Sequence, residues 1–380
     1  MNRREYLQWL AASTTLAAGS YAVGVHGLFK SNSSVTSVTL PNSTFSVIPV
    51  VGDGKWIWRD PPSDARGYLE PREFEVRVRI TCEAREETTK LRAATVVPVA
   101  FPEQEIISSE IATKGCEAQL VQLGETAAQL MLFAPRLLGG QLVAAELQQK
   151  IKLCKSYHGY EGASFPREQK LSREIANSYL RSSPGIEINY RPLKDLVKDL
   201  TSRTSSPWAK AQAFYQWAWE NIEARLGDYT SVEDALKDRV GDCEERAAVF
   251  IAMCRASGIP ARLVWVPNHA WAEFYLLDAE GTGHWIPAHT AAYSWFGWTG
   301  AHELVLQKGD RIAVPQSSRP TRLIADWYQF SGAAPTVTFT AELNPLGETP
   351  ELAGPGSRTK TAKGKWTVVA RNEDDRLMRE

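Results

Sequence analysis

Residues 240–290 restrict the fold of this chain more than any other stretch. "VGDCEERAAVFIAMCRASGIPAR", residues 240–262, begins with Asp242, a residue suited to a helix N-cap, and continues as an apolar run. Gly258 suits the left-handed position just past a helix, and Pro260 bars continuation. The spacing predicts a helix over about 243–257. Ala247, Phe250, Ile251 and Cys254 share the side of Cys243, so that side should face a core. "ARLVWV", "HAWAEFYLL" and "HWIPAHT" follow as three strands, separated by the turns "PN" and "DAEGTG". This order puts Cys243 at a helix mouth and His269 at the start of the middle strand.

A thiolate at a helix mouth faces unsatisfied N–H groups and the positive end of the helix dipole. With a nearby imidazolium, such a site lowers a thiol pKa from about 8.5 to roughly 3.5–7.5. Glu244 and Glu245 oppose this effect and are expected to point to solvent. Cys254 has no such setting and reads as packing. The imidazole of His269 can deprotonate Cys243 and later protonate a leaving amine. The backbone N–H of Cys243 is a candidate oxyanion donor.

The rest of the chain supplies context. Its 380 residues suffice for two or three domains, and a net charge of −1 offers no field for nucleic acid or an anionic membrane. Residues 1–30 carry Arg3-Arg4, then no charged side chain from Tyr6 to Phe29. This resembles a twin-arginine export signal, or an anchor that could tether the chain to a membrane if uncleaved. The expected location is therefore outside the cytoplasm, in the periplasm or cell envelope. Residues 31–70 read as a linker. Residues 71–160 alternate apolar and polar side chains, as in "FEVRVRI", and predict a β-sandwich-like domain of six or seven strands. Residues 165–340 hold the helical segments "PLKDLVKDLTSR", "SSPWAKAQAFYQWAWENIEARL" and "SVEDALKDR", the last capped by Ser231, and then the stretch above. Residues 341–380 read as a flexible tail, with "KWTVVA" as an edge strand.

Five cysteines form no CxxC pair, which excludes a zinc ribbon, and no metal or cofactor is expected. Cys82, Cys116 and Cys154 read as small buried hydrophobes in strand contexts, with one disulfide among them left open. Asn268 reads as a turn residue. His26, His158, His284 and His302 have no partner pattern.

"GDCEERAAVFIAMCRASGIPARLVWV", then "HAWAEFYL", then "HWIPAHT" resembles the core of the transglutaminase-like superfamily, a papain-like fold. The resemblance covers about Ser172 to Pro315, with "ELVLQKGDRIAVP" as the segment after the core. It implies an α+β chain: a β-sandwich-like domain followed by helices packed on an antiparallel sheet. It implies Cys243 as nucleophile and His269 as general base. The third position departs from the family, because His289 stands where the family has Asp. A neutral His289 could accept a hydrogen bond from Nδ1–H of His269, but it brings no negative charge, so slow or absent chemistry is expected. A strand-end histidine without a role is an equal reading. A five-residue turn over 278–282 would put His289 opposite Trp271, on the face of His269, and a slip of one residue would point it away. On this reading His289→Asp should raise the rate. Trp271 and Trp285 are expected to shield the site. The implied function is an exported thiol acyltransferase or hydrolase acting on peptide or glutamine carboxamides through a thioester, with a protein or peptide as partner. The alternative is a catalytically weak or inactive core that binds peptides or serves assembly.

Overall fold

The computed structural model describes residues 35–40, 58, 60–225, 227–290 and 295–347. The readings of an export signal, of "KWTVVA" and of His26 lie outside these residues. Among the described residues, no helix is long and apolar enough to cross a membrane.

The strands of the first half are β1 (Thr36–Thr39), β2 (Gly67–Glu83), β3 (Thr88–Val97), β4 (Gln104–Lys114), β5 (Glu117–Gln122), β6 (Ala128–Leu137) and β7 (Leu142–Tyr157). Five helices follow: α1 (Arg173–Tyr179), α2 (Arg191–Thr201), α3 (Pro207–Asn221), α4 (Val232–Asp238) and α5 (Cys243–Ala256). Between them lie two short strands, β8 (Glu223–Ala224) and β9 (Val240–Gly241). The chain continues through β10 (Ala261–Val266), β11 (His269–Leu277), β12 (Gly283–Ala288), β13 (Trp298–Thr299) and β14 (Gln307–Lys308), and ends in β15 (Trp327–Gly332) and β16 (Thr336–Pro345).

The alternation of "FEVRVRI" sends Phe74, Val76, Val78 and Ile80 inward and leaves Arg77 and Arg79 outside. These inward residues pack with Leu91, Ala93, Leu130, Leu132, Leu147 and Ile151, so two sheets share one core. One sheet runs β1-β15-β3-β6-β5; in the other β16 pairs β2, β2 pairs β7, and β7 also pairs β4 and β13. The sandwich is therefore not confined to residues 71–160. It takes in β1 and the start of β2, both inside the stretch read as linker, and its last strands come from beyond the helical region. β16 pairs β2 from Thr336↔Glu83 to Pro345↔Phe74, which takes residues 327–345 out of the core domain and the tail. The cause is nonlocal: without β16, the long strand β2 would expose a row of backbone groups.

The second half is an antiparallel sheet ordered β12-β11-β10-β14, with α5 packed on β10 and β11. α5 matches its predicted span and caps: Asp242 is the N-cap, Gly258 has φ +84°, and the Ile259 N–H donates to the Cys254 carbonyl at 2.9 Å. The helix is buried on every side from Glu245 to Arg255, where one buried face was expected. α2, α3 and α4 all pack on it, which accounts for its near-continuous apolar sequence. Ser206 caps α3 and Ser231 caps α4 through its side chain.

Two buried ion networks tie the sheet together. Arg262 and Lys308 both bind Glu273, at 2.6 Å each, joining β10, β14 and β11. Arg255 binds Asp310 in the loop after β14. All five cysteines are free thiols, so the disulfide left open does not form; Cys116 lies in the β4–β5 turn, with Sγ 3.2 Å from the Ala144 carbonyl.

Candidate active site

Cys243 is the first residue of α5, and a full capping box closes the turn. The Glu244 N–H donates to Asp242 Oδ1 at 2.7 Å, and the Asp242 N–H donates to Glu245 Oε2 at 2.9 Å. The Ala270 backbone amide acts on the Cys243 sulfur as a hydrogen-bond donor, which places the thiol beside the residue that follows His269.

The thiol does not have the low pKa expected of a helix mouth. Burial raises it well above its ordinary value; Asp242, Glu244 and Glu245 raise it further, and the Ala270 amide pulls it down. Nor do the two glutamates point to solvent. Glu245 is buried and also accepts from the Thr230 N–H at 2.9 Å, while Glu244 pairs with Arg322 at 3.0 Å. α4 and the segment before it cover Glu245, while Glu244 keeps 18% of its side chain exposed and turns to Arg322. Burial and the neighbouring His289 push His269 down to about 3. At neutral pH the resting pair is thus a thiol and a neutral imidazole.

β11 and β12 pair with Ala272 opposite Ala288, so His289, just past β12, falls opposite Trp271. This is the register the five-residue turn predicts. His289 is fully buried, and its Nδ1 lies 3.5 Å from Nε2 of His269. The facing atom corrects the expected geometry: His269 presents Nε2, not Nδ1. The ring of Trp271 stacks on His289 at 4.8 Å, and Trp295 meets it edge-on at 5.0 Å. Trp285 is elsewhere, with Arg262 held 3.8 Å over its ring, so it does not shield the site. Asn268 takes φ +56° in the two-residue β10–β11 turn. His284 pairs with Asp278 at 2.7 Å, and His158 stacks on Tyr160.

Sequence reasoning missed Glu303. Its Oε2 lies 3.2 Å from Nε2 of His289, on the far side of that ring from His269. The residue belongs to "ELVLQKGDRIAVP", the segment read as following the core, yet nothing in its spacing ties it to a histidine fourteen residues earlier. His269, His289 and Glu303 each offer a donor atom, all within 4.8 Å of one another, a grouping that residue spacing did not show. The two nitrogens of His289 point to different neighbours, so the three groups form a line of hydrogen bonds rather than a single ligand cage.

Residues 194–290 match the family model of the transglutaminase-like superfamily. A curated relative, the peptide-N(4)-(N-acetyl-beta-glucosaminyl)asparagine amidase of Yarrowia lipolytica, is 32% identical over 76 residues, 20% of this chain and 20% of that protein. A candidate cysteine protease from Cytophaga hutchinsonii superposes with a TM-score of 0.52 at 17% identity, over 74% of this chain and 93% of its own. The periplasmic domain of TgpA from Pseudomonas aeruginosa gives a TM-score of 0.28 at 14% identity, over 70% and 94%. Residues 194–290, with a cysteine opening their central helix, His269 at the start of β11 and His289 just past β12, are thus similar to the core of the transglutaminase-like superfamily.

Proposed function

We propose that the protein is a cysteine-dependent amide hydrolase acting on peptide or protein substrates. The observation that carries this reading is the Cys243 sulfur on the Ala270 amide, one residue from a histidine whose ring leads on to His289. In the first step the S–H bond breaks as sulfur attacks the carbonyl carbon. His269 takes the proton and the electron pair stays on sulfur. The C–N bond then breaks, His269 returns the proton to the leaving amine, and a thioester remains. Water resolves it to a carboxylic acid. Since both partners start neutral, proton transfer accompanies attack rather than preceding it. The backbone N–H of Cys243, at the first helical position, serves as an oxyanion donor. The curated relative is named as an amidase and the fold neighbour as a candidate protease, which supports hydrolysis over amine cross-linking.

The test is acylation by p-nitrophenyl acetate, followed by mass spectrometry of the enzyme and by ammonia and amine release from glutamine-containing peptides. We expect an acetylated enzyme that disappears in Cys243→Ala, and acylation slowed on the order of 10²–10⁴-fold in His269→Ala. Undiminished acylation in Cys243→Ala would end the proposal. Peptide binding with no acylation at all would replace it with the inactive peptide-binding core. The Arg3-Arg4 leader extends the proposal to export. Cell fractionation checks this, with Lys at both positions expected to trap the protein inside.

A further inference from the structure

The superfamily pattern has a carboxylate next to the catalytic histidine, and this chain has His289 there. The carboxylate has not vanished from the structure. Glu303 Oε2 sits 3.2 Å from Nε2 of His289, whose Nδ1 sits 3.5 Å from Nε2 of His269. We propose that Glu303 is a positioning residue for the Cys243–His269 pair, setting through His289 the nitrogen of His269 that bears the lone pair and supplying the missing negative charge. This rests on the thiol chemistry proposed above.

A carboxylate only accepts, so the nitrogen of His289 that faces it, Nε2, carries the hydrogen. A neutral imidazole has one N–H, so Nδ1 of His289 holds a lone pair. That lone pair faces Nε2 of His269, which therefore carries its own hydrogen. Nδ1 of His269 is left with the free lone pair, the only atom of that ring able to take a proton from a thiol. One carboxylate thus selects the tautomer of two rings. When Nδ1 of His269 takes the proton, the ring becomes a cation, and the 3.5 Å contact shortens because its donor is now charged. The balance is simple: the proton leaves sulfur, sulfur becomes negative, His269 becomes positive, and no proton need leave His289 or Glu303.

Two features make the charge of Glu303 effective at this range. His289 is fully buried between Trp271 and Trp295, so little water screens the line. The backbone on both sides of Glu303 is held by the sandwich. The ring of His302 makes a 2.6 Å contact with the Glu70 carbonyl of β2, and Val305 exchanges two hydrogen bonds with the side chain of Gln104 in β4, at 2.8 Å each. The β-domain therefore aims the carboxylate at the core.

The decisive experiment compares Glu303→Gln with wild type in the p-nitrophenyl acetate reaction. Expected are a fall in kcat of about 10²–10⁴-fold, the range of positioned proton transfer, and a KM within about twofold, since Glu303 does not touch substrate. A second variant separates charge from packing. His289→Asp with Glu303→Gln moves the charge to the family position and should recover at least about tenfold over Glu303→Gln. His289→Asp alone should stay slow, because its new carboxylate adjoins Glu303. This reverses the gain expected from sequence. Imidazole ¹⁵N spectra of the unaltered protein give an independent reading, with hydrogen on Nε2 of both His269 and His289. Unchanged kcat in Glu303→Gln, or the opposite tautomer at either ring, overturns the inference while leaving the thiol mechanism intact. Loss of the Cys243 dependence would overturn that mechanism instead.

Discussion

The two ends of helix α5 treat charge in opposite ways. At its C-terminal end, Arg255 and Asp310 are almost wholly buried, with 1% and 2% of their side chains exposed. The guanidinium donates to both Asp310 oxygens at 2.9 and 2.7 Å, to the carbonyls of Ala261 and Arg181, and to Ser183 Oγ. Every donor has a partner, and the cation is matched by an anion. At the N-terminal end, Asp242, Glu244 and Glu245 gather round one sulfur, and the cation bonded to them among the described residues is Arg322, on Glu244. Burial and Glu245 push Asp242 up to about 8. One end is a satisfied structural joint. The other gathers three carboxyl groups, Asp242 among them protonated at neutral pH, around the proposed nucleophile, the pattern expected where reactivity is retained against stability.

Breaking the satisfied end should have the largest effect on stability. Asp310→Asn removes the anion that, among the described residues, is bonded to Arg255, and weakens the acceptor for the Leu263 N–H, which now donates to Asp310 Oδ2 at 3.1 Å. Loss of one member of such a pair leaves a buried charge uncompensated, at a cost of about 3–5 kcal/mol. Urea unfolding measures it. A cost below about 1 kcal/mol would mean that water reaches Arg255 and that the two ends differ less than their burial indicates.

This contrast also separates what the sequence shows from what it hides. The span of α5, its caps and the strand order after it are local, set by Asp242, Gly258, Pro260 and a period of two. The register of His289 follows from the five-residue turn over 278–282, so its approach to the face of His269 was within reach. The nitrogen that His269 presents was not, because it depends on a side-chain rotation that spacing does not record. Glu303 was hidden for another reason. It reaches His289 through the β13–β14 loop, and that loop is held by Glu70 and Gln104, which lie 232 and 201 residues before their partners His302 and Val305. The expectation of solvent-facing glutamates failed because the helix is covered on all sides from Glu245 onward and Glu244 turns to Arg322, neither of which a one-face reading of its pattern can reveal. The sandwich boundary failed similarly: β16 belongs to β2, and no local signal records that pairing.

The unbalanced end makes a smaller prediction, one of slope rather than size. His269 is held down from 6.5 to about 3, so its contribution to stability is present above pH 6.5 and lost as pH falls through about 3. His302, held down to about 4 chiefly by burial, adds in the same direction. Asp242 behaves oppositely. Its pKa is raised from 3.8 to about 8, so its contribution is complete below pH 3.8 and lost as pH rises through about 8. Asp242→Asn should abolish the second slope and keep the first. Asn caps a helix about as well as Asp, so near pH 4 the two proteins should differ by no more than about 0.5 kcal/mol. Near pH 8 the variant should be the more stable, and its Cys243 should react with iodoacetamide at lower pH, because one carboxylate near the sulfur is gone. Parallel stability curves across that range, with an unchanged alkylation profile, would show that Asp242 does not bear on the thiol. The high thiol pKa would then come from burial alone, and the crowd of carboxylates would have no part in setting when Cys243 reacts.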